Sequence, residues 1–315
     1  MSENGSARGP GRGRAVTLAA ASLVMILTLG ALLWPGQGDR PGQYVFLVFD
    51  SGGDSARVEA VYDPLALYLC ELLGRPLDLV VAPTLEAFRG QAYRGAVIVL
   101  CPDGLALGLA RDRFLSLAVG RRAAPRNLRP RGVLVYRKTA GLVSAPWRTR
   151  PEATVVGDSV SLASTGAWRR LGTAATDGPG LQSACSWGPD PYDHGPALHA
   201  ARLGGFDYAL VRQWDATRFF AAGLLSPLEW GVDPLTVPVP DIVLMTSADL
   251  AAKDRLELGD RLSSLGRQSG AETPAATRVR LALRGLGLAG FNLLVEPDFD
   301  LVRRNFAADW LPEAD

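Results

Sequence analysis

The sequence has almost no net charge and very little cysteine. Its 33 Lys and Arg residues balance 32 Asp and Glu residues, which does not favour a nucleic acid as a partner. The cysteines, Cys70, Cys101 and Cys185, share no motif and lack the spacing of a zinc site. Three cysteines allow one disulfide or three buried thiols, and the sequence leaves both alternatives open.

Signatures of the common enzyme classes are also missing. No G-x-S-x-G elbow or P-loop occurs, and no G-x-G-x-x-G follows a predicted strand. His194 and His199 are five positions apart, a spacing that does not place them together on one helix face as metal ligands. Ser164 has only His194 as a candidate base, with no third member placed by the sequence. We therefore expect no catalysis, no cofactor and no metal site.

One long apolar run is present near the amino end. Residues 15–34 carry no charge and are enough for a helix to cross a bilayer of about 30 Å. Arg8, Arg12 and Arg14 precede the run, which predicts a cytoplasmic basic segment at 1–14 and an exported remainder. A cleaved signal peptide is the alternative. The run is long for one and lacks a small-x-small cleavage site, so we predict an anchor, followed by a flexible linker at 35–43.

After the linker, strands and helices alternate. Apolar runs predict strands at 44–49, 77–82 and 96–101, separated by helices at 63–74 and 84–90. Asp63 is predicted to cap the first of these helices, with Pro64 in its first turn and Gly74 at its end. A further helix is predicted from the "PDG" sequence to about Gly120. This order indicates an α/β fold with a parallel sheet between helices.

A second α/β unit is predicted farther along the chain. Strands are expected at 132–138, 159–162, 206–212 and 241–246, and helices from Thr165, at 194–203, from Ser247 to about 265, near 277–286 and near 299–308. The predicted domains are a first lobe at 44–138, a second lobe at 139–237 and a return to the first lobe at 238–315. Connections near 138–141 and 236–240 would then form the hinge of a two-lobed clamp.

Three motifs in this order resemble those of the phosphate/phosphonate-type periplasmic substrate-binding proteins of ABC importers. They are "DPLALYLCELLGRPLDLVVAPTLEAF" at 63–88, "ASTGAW" at 163–168 and "DHGPALHAARLGGFDYALV" at 193–211, and the resemblance covers 44–310. It implies a two-lobed type 2 periplasmic-binding-protein-like clamp with parallel-rich sheets. Here that clamp would follow the predicted transmembrane helix.

The resemblance also implies where a ligand would bind. On the first lobe, Ser51 and Gly52 follow the first strand and Asp103 follows the third, so these residues would line one wall of the cleft. The nearby residues Asp50 and Asp54 do not fit an anion site, because carboxylates repel an anion. They suit a ligand amine or exposure to solvent. For Asp103, the alternative is a plain turn.

On the second lobe, Ser164, Thr165 and Gly166 match the family's anion-binding turn. Free helix N–H groups and two hydroxyl groups could hold a phosphate-like ligand there, and an ordinary helix cap is the alternative. His194 matches a family histidine that contacts the ligand. Arg212 ends a strand where relatives often have an acid, and would pair with an oxyanion. A helix-capping or surface position is the alternative for His194, and a solvated charge at a strand end is the alternative for Arg212.

These observations predict an inner-membrane protein with its main domain on the periplasmic side. Its expected function is to bind a small phosphate- or phosphonate-like oxyanion and to present it to an ABC permease. The alternative is a sensory or scaffold domain that has kept the clamp fold and lost tight ligand binding.

Overall fold

A computed structural model of the chain describes residues 44–52, 55–110, 113–122, 131–138, 154–158, 160–172, 182–183, 193–265 and 273–294. Residues 44–315 form one compact unit. No helix within the described ranges is long and apolar enough to span a membrane, and the predicted anchor at 15–34 lies outside these ranges. Asp54, Ser159, Cys185 and the helix predicted near 299–308 lie outside them as well.

The strands, numbered along the chain, are β1 (Tyr44–Phe49), β2 (Leu77–Ala82), β3 (Ala96–Pro102), β4 (Phe114–Arg122), β5 (Gly132–Arg137), β6 (Val155–Gly157), β7 (Gln182–Ser183), β8 (Tyr208–Arg212), β9 (Trp230–Pro234), β10 (Ile242–Ser247) and β11 (Leu288–Leu293). The helices are α1 (Asp63–Leu73), α2 (Leu85–Arg94), α3 (Asp103–Leu109), α4 (Leu162–Gly172), α5 (Gly195–Arg202), α6 (Gln213–Ala221), α7 (Ala252–Ser264) and α8 (Pro274–Gly285). A helical turn at Ser55–Arg57 and a π-helical turn at Val58–Tyr62 lead into α1.

The strands form two mixed sheets rather than parallel-rich ones. The first sheet has the order β11-β4-β10-β3-β1-β2, and the second has the order β7-β6-β8-β5-β9. In the first, β1 is parallel to β2 and β3, while β10 is antiparallel to β3 and β4, and β11 to β4. In the second, β6 is parallel to β7 and β8, and β5 is antiparallel to β8 and β9. An apolar strand sequence does not encode the direction of its neighbours, which is why the parallel prediction was incomplete.

Both faces of the first sheet are covered, as the continuous apolar run of β1 predicts. Phe46 and Val48 lie in a core formed with α1 and α8, whereas Leu47 and Phe49 lie in a core formed with α2. The second sheet is also buried on both faces. Val133 and Val135 of β5 pack with α5 and α6, and alternate residues of the same strand pack against α4.

The first crossing between the sheets differs from the prediction. Strand β5 belongs to the second sheet, so the chain leaves the first sheet between Arg122 and Gly132 rather than near Lys138. The return lies between Pro234 and Ile242, in the region predicted for the second connection. The apolar sequence of β5 suits either sheet, and only its pairing with β8 and β9 assigns it to the second.

Several element boundaries also differ from the predictions. Residues 114–120 were assigned to a helix but form most of β4, between β10 and β11. The strand predicted at 159–162 lies instead at Val155–Gly157, and α4 already begins at Leu162. Asp63 does not cap α1, because the chain is already helical before it, and Ser247 ends β10.

The predicted end of the first helix is confirmed, because Gly74 ends α1 with a left-handed φ of 61°. The helix predicted at 84–90 is longer in the structure and extends from Leu85 to Arg94. Thr84 is its N-cap, a role that the sequence analysis does not assign, and accepts a hydrogen bond from the Ala87 N–H group.

Candidate functional site

The polar ends of the two sheets meet at a buried junction. Asp103 follows β3 and Asp241 precedes β10 in the first sheet, while Asp158 follows β6 and Arg212 ends β8 in the second. All four side chains are buried. Backbone contacts join the two sides, since the Gly104 N–H group donates to the Val160 carbonyl at 3.2 Å. This junction is the place where the resemblance implies a ligand.

The hydroxyl groups of Ser164 and Thr165 are directed into the protein. Ser164 Oγ donates to the Leu210 carbonyl at 2.6 Å, and Thr165 Oγ1 donates to the Ser161 carbonyl at 2.7 Å. Both residues and Gly166 are buried within the first two turns of α4 rather than at a strand-to-helix junction. The hydroxyl protons are therefore already used by backbone carbonyl groups.

The first turn of α4 is capped from both sides of the junction. Ser161 Oγ accepts from the Ala163 N–H group at 3.3 Å, as a helix cap does. Asp103 Oδ1 accepts from the Leu162 N–H group at 2.9 Å and from its own neighbour, Gly104 N–H, at 3.0 Å. A carboxyl group of the first sheet thus accepts the helix N–H group that an anionic ligand would otherwise bind.

Asp103 is held toward its protonated form. Burial raises the pKa of its carboxyl well above the ordinary value, and the Asp241 and Asp158 carboxylates raise it further against the hydrogen bond from Leu162. Its Oδ2 atom is buried and has no hydrogen-bond partner among the described residues. Asp103 is therefore a buried link between the sheets and not a plain turn residue.

The loop after β1 is organised around Asp50. This fully buried carboxylate accepts hydrogen bonds from Arg57 Nη1 at 3.0 and 3.1 Å, from Tyr62 Oη at 3.0 Å and from the Gly52 N–H group at 2.9 Å. The expected exposure of Asp50 to solvent is therefore wrong. Ser51 is half-buried beside it, and Gly52 is exposed with its N–H group turned toward Asp50.

Arg212 is buried and paired within the chain. Its Nε atom donates to Asp215 Oδ2 at 2.8 Å, and its Nη1 atom donates to Asp241 Oδ1 of the first sheet. Burial alone would lower the pKa of Arg212, but the Asp215 and Asp241 carboxylates outweigh it and raise the pKa above the ordinary value. The Arg212 guanidinium group thus pairs with two carboxylates of its own chain, where the sequence predicted an oxyanion ligand.

His194 lies in a row with Ser164 and Asp158, and Asp158 is the third member that the sequence did not place. Its Nδ1 atom lies 3.5 Å from Ser164 Oγ, and its Nε2 atom lies 3.6 Å from Asp158 Oδ2. Nδ1 accepts the Arg212 N–H group at 3.2 Å, and burial, with Arg212 and Arg122, lowers the pKa of His194 well below its usual value. The ring is therefore neutral, and its contact with Asp158 is not an ion pair. Because Ser164 is buried and donates to Leu210, this row does not activate a nucleophile.

The junction holds acidic and basic groups in ion pairs. Asp241 pairs with Arg122 and Arg212, and Asp215 pairs with Arg212 and lies 3.5 Å from Arg218. An additional anion would have to compete with these carboxylates for the guanidinium groups in a buried region of low dielectric.

Sequence reasoning missed the residues that tie the junction together. Asp241 was assigned only as the start of a strand, and Arg122 and Asp215 received no role. Asp241 bridges Arg122 and Arg212, and Trp214 lies against both guanidinium groups. Each of these charged residues stands at or next to a strand end, and that position was the signal available in the sequence. The sequence could not show which of them pair, because Arg122 and Asp241 are 119 positions apart.

Two cysteines lie in the described part of the chain, and both are free thiols. Cys101 is buried and Cys70 is half-buried, and burial raises the pKa of both thiols. The alternatives for Cys185 are not addressed by the described residues.

Neither protein-family models nor curated proteins match the sequence. Solved structures do match the fold. A protein from Xanthomonas citri bound to ATP is similar at a TM-score of 0.59 and 15% identity, over 84% of this chain and 96% of that chain. A binding protein component of an ABC phosphonate transporter from Pseudomonas aeruginosa is similar at 0.57 and 14% identity, over 84% and 86%. PhnD1 from Prochlorococcus marinus, in complex with methylphosphonate, is similar at 0.56 and 10% identity, over 84% and 97%.

The Pseudomonas protein is named as a binding protein of the class that the sequence motifs resemble, and the Prochlorococcus protein is named as a complex with methylphosphonate. At identities of 10–17% the likeness concerns the fold. The chain therefore has the α/β, two-sheet, periplasmic-binding-protein-like fold of the phosphonate-type binding proteins.

Proposed function

We propose that this chain is an extracytoplasmic sensory or scaffold domain that keeps the clamp fold without binding a small oxyanion tightly. One observation carries the proposal: the side chains predicted to hold the anion are engaged inside the protein. Ser164 and Thr165 donate to backbone carbonyl groups, and Arg212 pairs with two buried carboxylates. An entering oxyanion would have to displace these contacts in a junction that already contains several buried carboxylates.

The proposed location follows from the basic segment and apolar run at the amino end. Residues 15–34 would anchor the chain in the inner membrane, and residues 44–315 would lie on the periplasmic side. The partner of the domain would then be another extracytoplasmic protein or domain rather than a nucleic acid.

The second candidate function is delivery of a phosphate- or phosphonate-like oxyanion to an ABC importer. It is favoured by the shared fold with two proteins named for phosphonate binding. In that case Ser51, Gly52, Asp103, Ser164, Thr165, Gly166, His194 and Arg212 would contact the ligand. Ser164 and Thr165 would first have to release the Leu210 and Ser161 carbonyl groups.

Calorimetric titration separates the two candidates. The full chain in detergent would be titrated with phosphate, phosphite and methylphosphonate, in parallel with a Thr165→Val variant. We expect no binding at millimolar concentrations to either protein and a melting temperature lowered in the variant, because Thr165 Oγ1 donates its proton to the Ser161 carbonyl inside the protein.

Micromolar binding to the unmodified chain would overturn the proposal in favour of solute delivery. If Thr165→Val then weakened that binding about tenfold or more, the hydroxyl would be a ligand donor, since a hydrogen bond to a charged group contributes roughly 1.5–3 kcal/mol.

A further inference from the structure

Two arginine side chains and one tryptophan form a pocket around the Asp241 carboxylate. Arg122 Nε donates to Asp241 Oδ2 at 2.6 Å, and Arg212 Nη1 donates to Asp241 Oδ1. The Trp214 ring centroid lies 5.5 Å from Arg122 Cζ and 5.4 Å from Arg212 Cζ, within the range of cation–π contact. Each carboxylate oxygen thus has its own guanidinium group, one from each sheet.

Both arginines have further partners that do not depend on Asp241. Arg122 Nη1 donates to the Leu286 carbonyl at 2.7 Å, and Arg212 Nε donates to Asp215 Oδ2 at 2.8 Å. With Trp214 against both groups, the two guanidinium groups would keep their positions if the Asp241 carboxylate were removed. The arginines and the indole therefore form a built anion site.

Backbone hydrogen bonds fix the position of Asp241, so that its carboxylate lies in this site. The Asp241 carbonyl accepts the Asp103 N–H group at 2.8 Å, and the next residue, Ile242, pairs with Pro102 at the start of β10. The side chain is only 7% exposed, and those of Arg122 and Arg212 are 11% and 2% exposed. The carboxylate is thus fixed in a desolvated position between two sheets.

We propose that Asp241 is a built-in ligand, which occupies a two-arginine site for a carboxylate- or phosphoryl-type oxyanion and joins the sheets without a solute. In clamp proteins an anion between the lobes favours the closed arrangement, because it gains contacts to both lobes only there. Asp241 supplies such contacts permanently. This inference rests on the proposed function, in which the unmodified chain does not take up an oxyanion.

The consequence is that removal of the Asp241 side chain should create an anion-binding site. Asp241→Ala leaves Arg122 and Arg212 facing a space about the size of a carboxylate, where formate, acetate or phosphate could replace the missing group. The full-length variant in detergent would be examined by thermal melts and calorimetric titration with these anions. A formate dissociation constant of about 10 mM would raise its melting temperature by about 3–5 °C at 100 mM formate.

Two matched variants test whether a response of Asp241→Ala to anions comes merely from the loss of one negative charge. Asp241→Asn removes the same charge but fills the space, so we expect no gain of anion binding. Asp193→Ala removes a carboxylate from a pair with Arg218 at 2.7 Å, where the Arg218 side chain is 58% exposed, and reports the general effect of one fewer negative charge. The proposal is overturned if Asp241→Ala responds to formate no more than these two variants do.

A folding failure of Asp241→Ala would also be decisive. If the variant folds only when formate or phosphate is added, the inference is supported. If it stays unfolded in these anions while the double variant Asp241→Ala with Arg122→Met folds, the two arginines cannot accept an external anion and the inference is wrong. Binding of phosphate by the unmodified chain would contradict the proposed function separately, because that result does not involve the variant.

Discussion

At the scale of single residues, the junction depends on carboxylates that are buried for different reasons. Asp241 is stabilised as an anion: burial alone would raise its pKa, but attraction to Arg122 and Arg212 outweighs that effect and lowers the pKa below its ordinary value. For Asp103 and Asp158 burial has the largest effect and raises the pKa of each. These two groups therefore make the stability of the junction depend on pH.

The pKa of Asp158 leads to a pH-dependent prediction. Burial raises this pKa to about 6, opposed by a hydrogen bond from the Val160 N–H group and by Arg212. Since the folded protein binds this proton more tightly than the unfolded chain, the contribution to stability is complete below about pH 4 and is lost as pH rises through about 6. We expect the unmodified chain to lose about 1–3 kcal/mol between pH 4.5 and 7.5 that Asp158→Asn does not lose.

Urea unfolding of both proteins at these two pH values measures the difference. Asp260→Asn on α7, where the side chain is exposed, serves as the control for removing one charge. Equal pH dependence in the Asp158→Asn variant and the unmodified chain would show that Asp158 does not titrate as described.

At the scale of elements, the two sheets are joined where α4 begins. Gly132 is the first residue of β5, and its N–H group donates a hydrogen bond to Thr236 Oγ1 at 2.7 Å. The Cα atom of Gly132 lies close to the backbone of Ala163. A Cβ atom at Gly132 would lie 2.0 Å from the Ala163 carbonyl oxygen. The glycine is therefore required by the approach of β5 to α4.

Substitution of this glycine should be strongly destabilising. Gly132→Ala is expected to lower the free energy of unfolding by about 2–4 kcal/mol, because backbone atoms on both sides must move. Gly90→Ala is the matched control, since a Cβ there meets nothing within 4 Å on the exposed face of α2. In a helix interior that change should raise stability by about 0.5–1 kcal/mol. Denaturant unfolding compares both variants, and a Gly132→Ala protein as stable as the unmodified chain would contradict the close approach.

At the scale of the whole molecule, the described residues form a domain in which contacts of the chain itself connect the two sheets. The Arg212–Asp241 ion pair and the hydrogen bonds Leu162–Asp103 and Gly104–Val160 each run from one sheet, or from a residue next to its strand end, to the other side. The internal connection is the basis for the sensory or scaffold function proposed above.

The anchor is a prediction about the whole chain. If residues 15–34 remain attached, the full chain expressed in a Gram-negative host should stay in the membrane fraction after an alkaline wash, and the domain should be digested by protease added to spheroplasts. Amino-terminal sequencing should find the residues that precede position 15. A mature protein that starts near Gly36 would show a cleaved signal peptide instead.

Much of the fold could be predicted because its signals are local. The continuous apolar runs of β1, β3, β8 and β10 predict buried strands, and Gly74 and Thr84 mark helix ends through backbone geometry that needs no distant partner. Strand β4 was missed because "FLSLAVG" suits a helix as well as a strand. Its position between β10 and β11 decides the matter.

The sequence by itself determined the alternation of buried strands and helices and the positions of several polar residues at strand ends, because apolar periodicity and turn residues act over a few positions. The periplasmic-binding-protein-like fold was implied by the resemblance of three motifs to that family. Only the tertiary structure decided what those polar residues do. Arg122 and Asp241 are 119 positions apart, and Asp103 and Leu162 are 59 apart. Whether a buried arginine meets a solute or a carboxylate of its own chain depends on which strand ends the two sheets bring together. No local pattern records that arrangement.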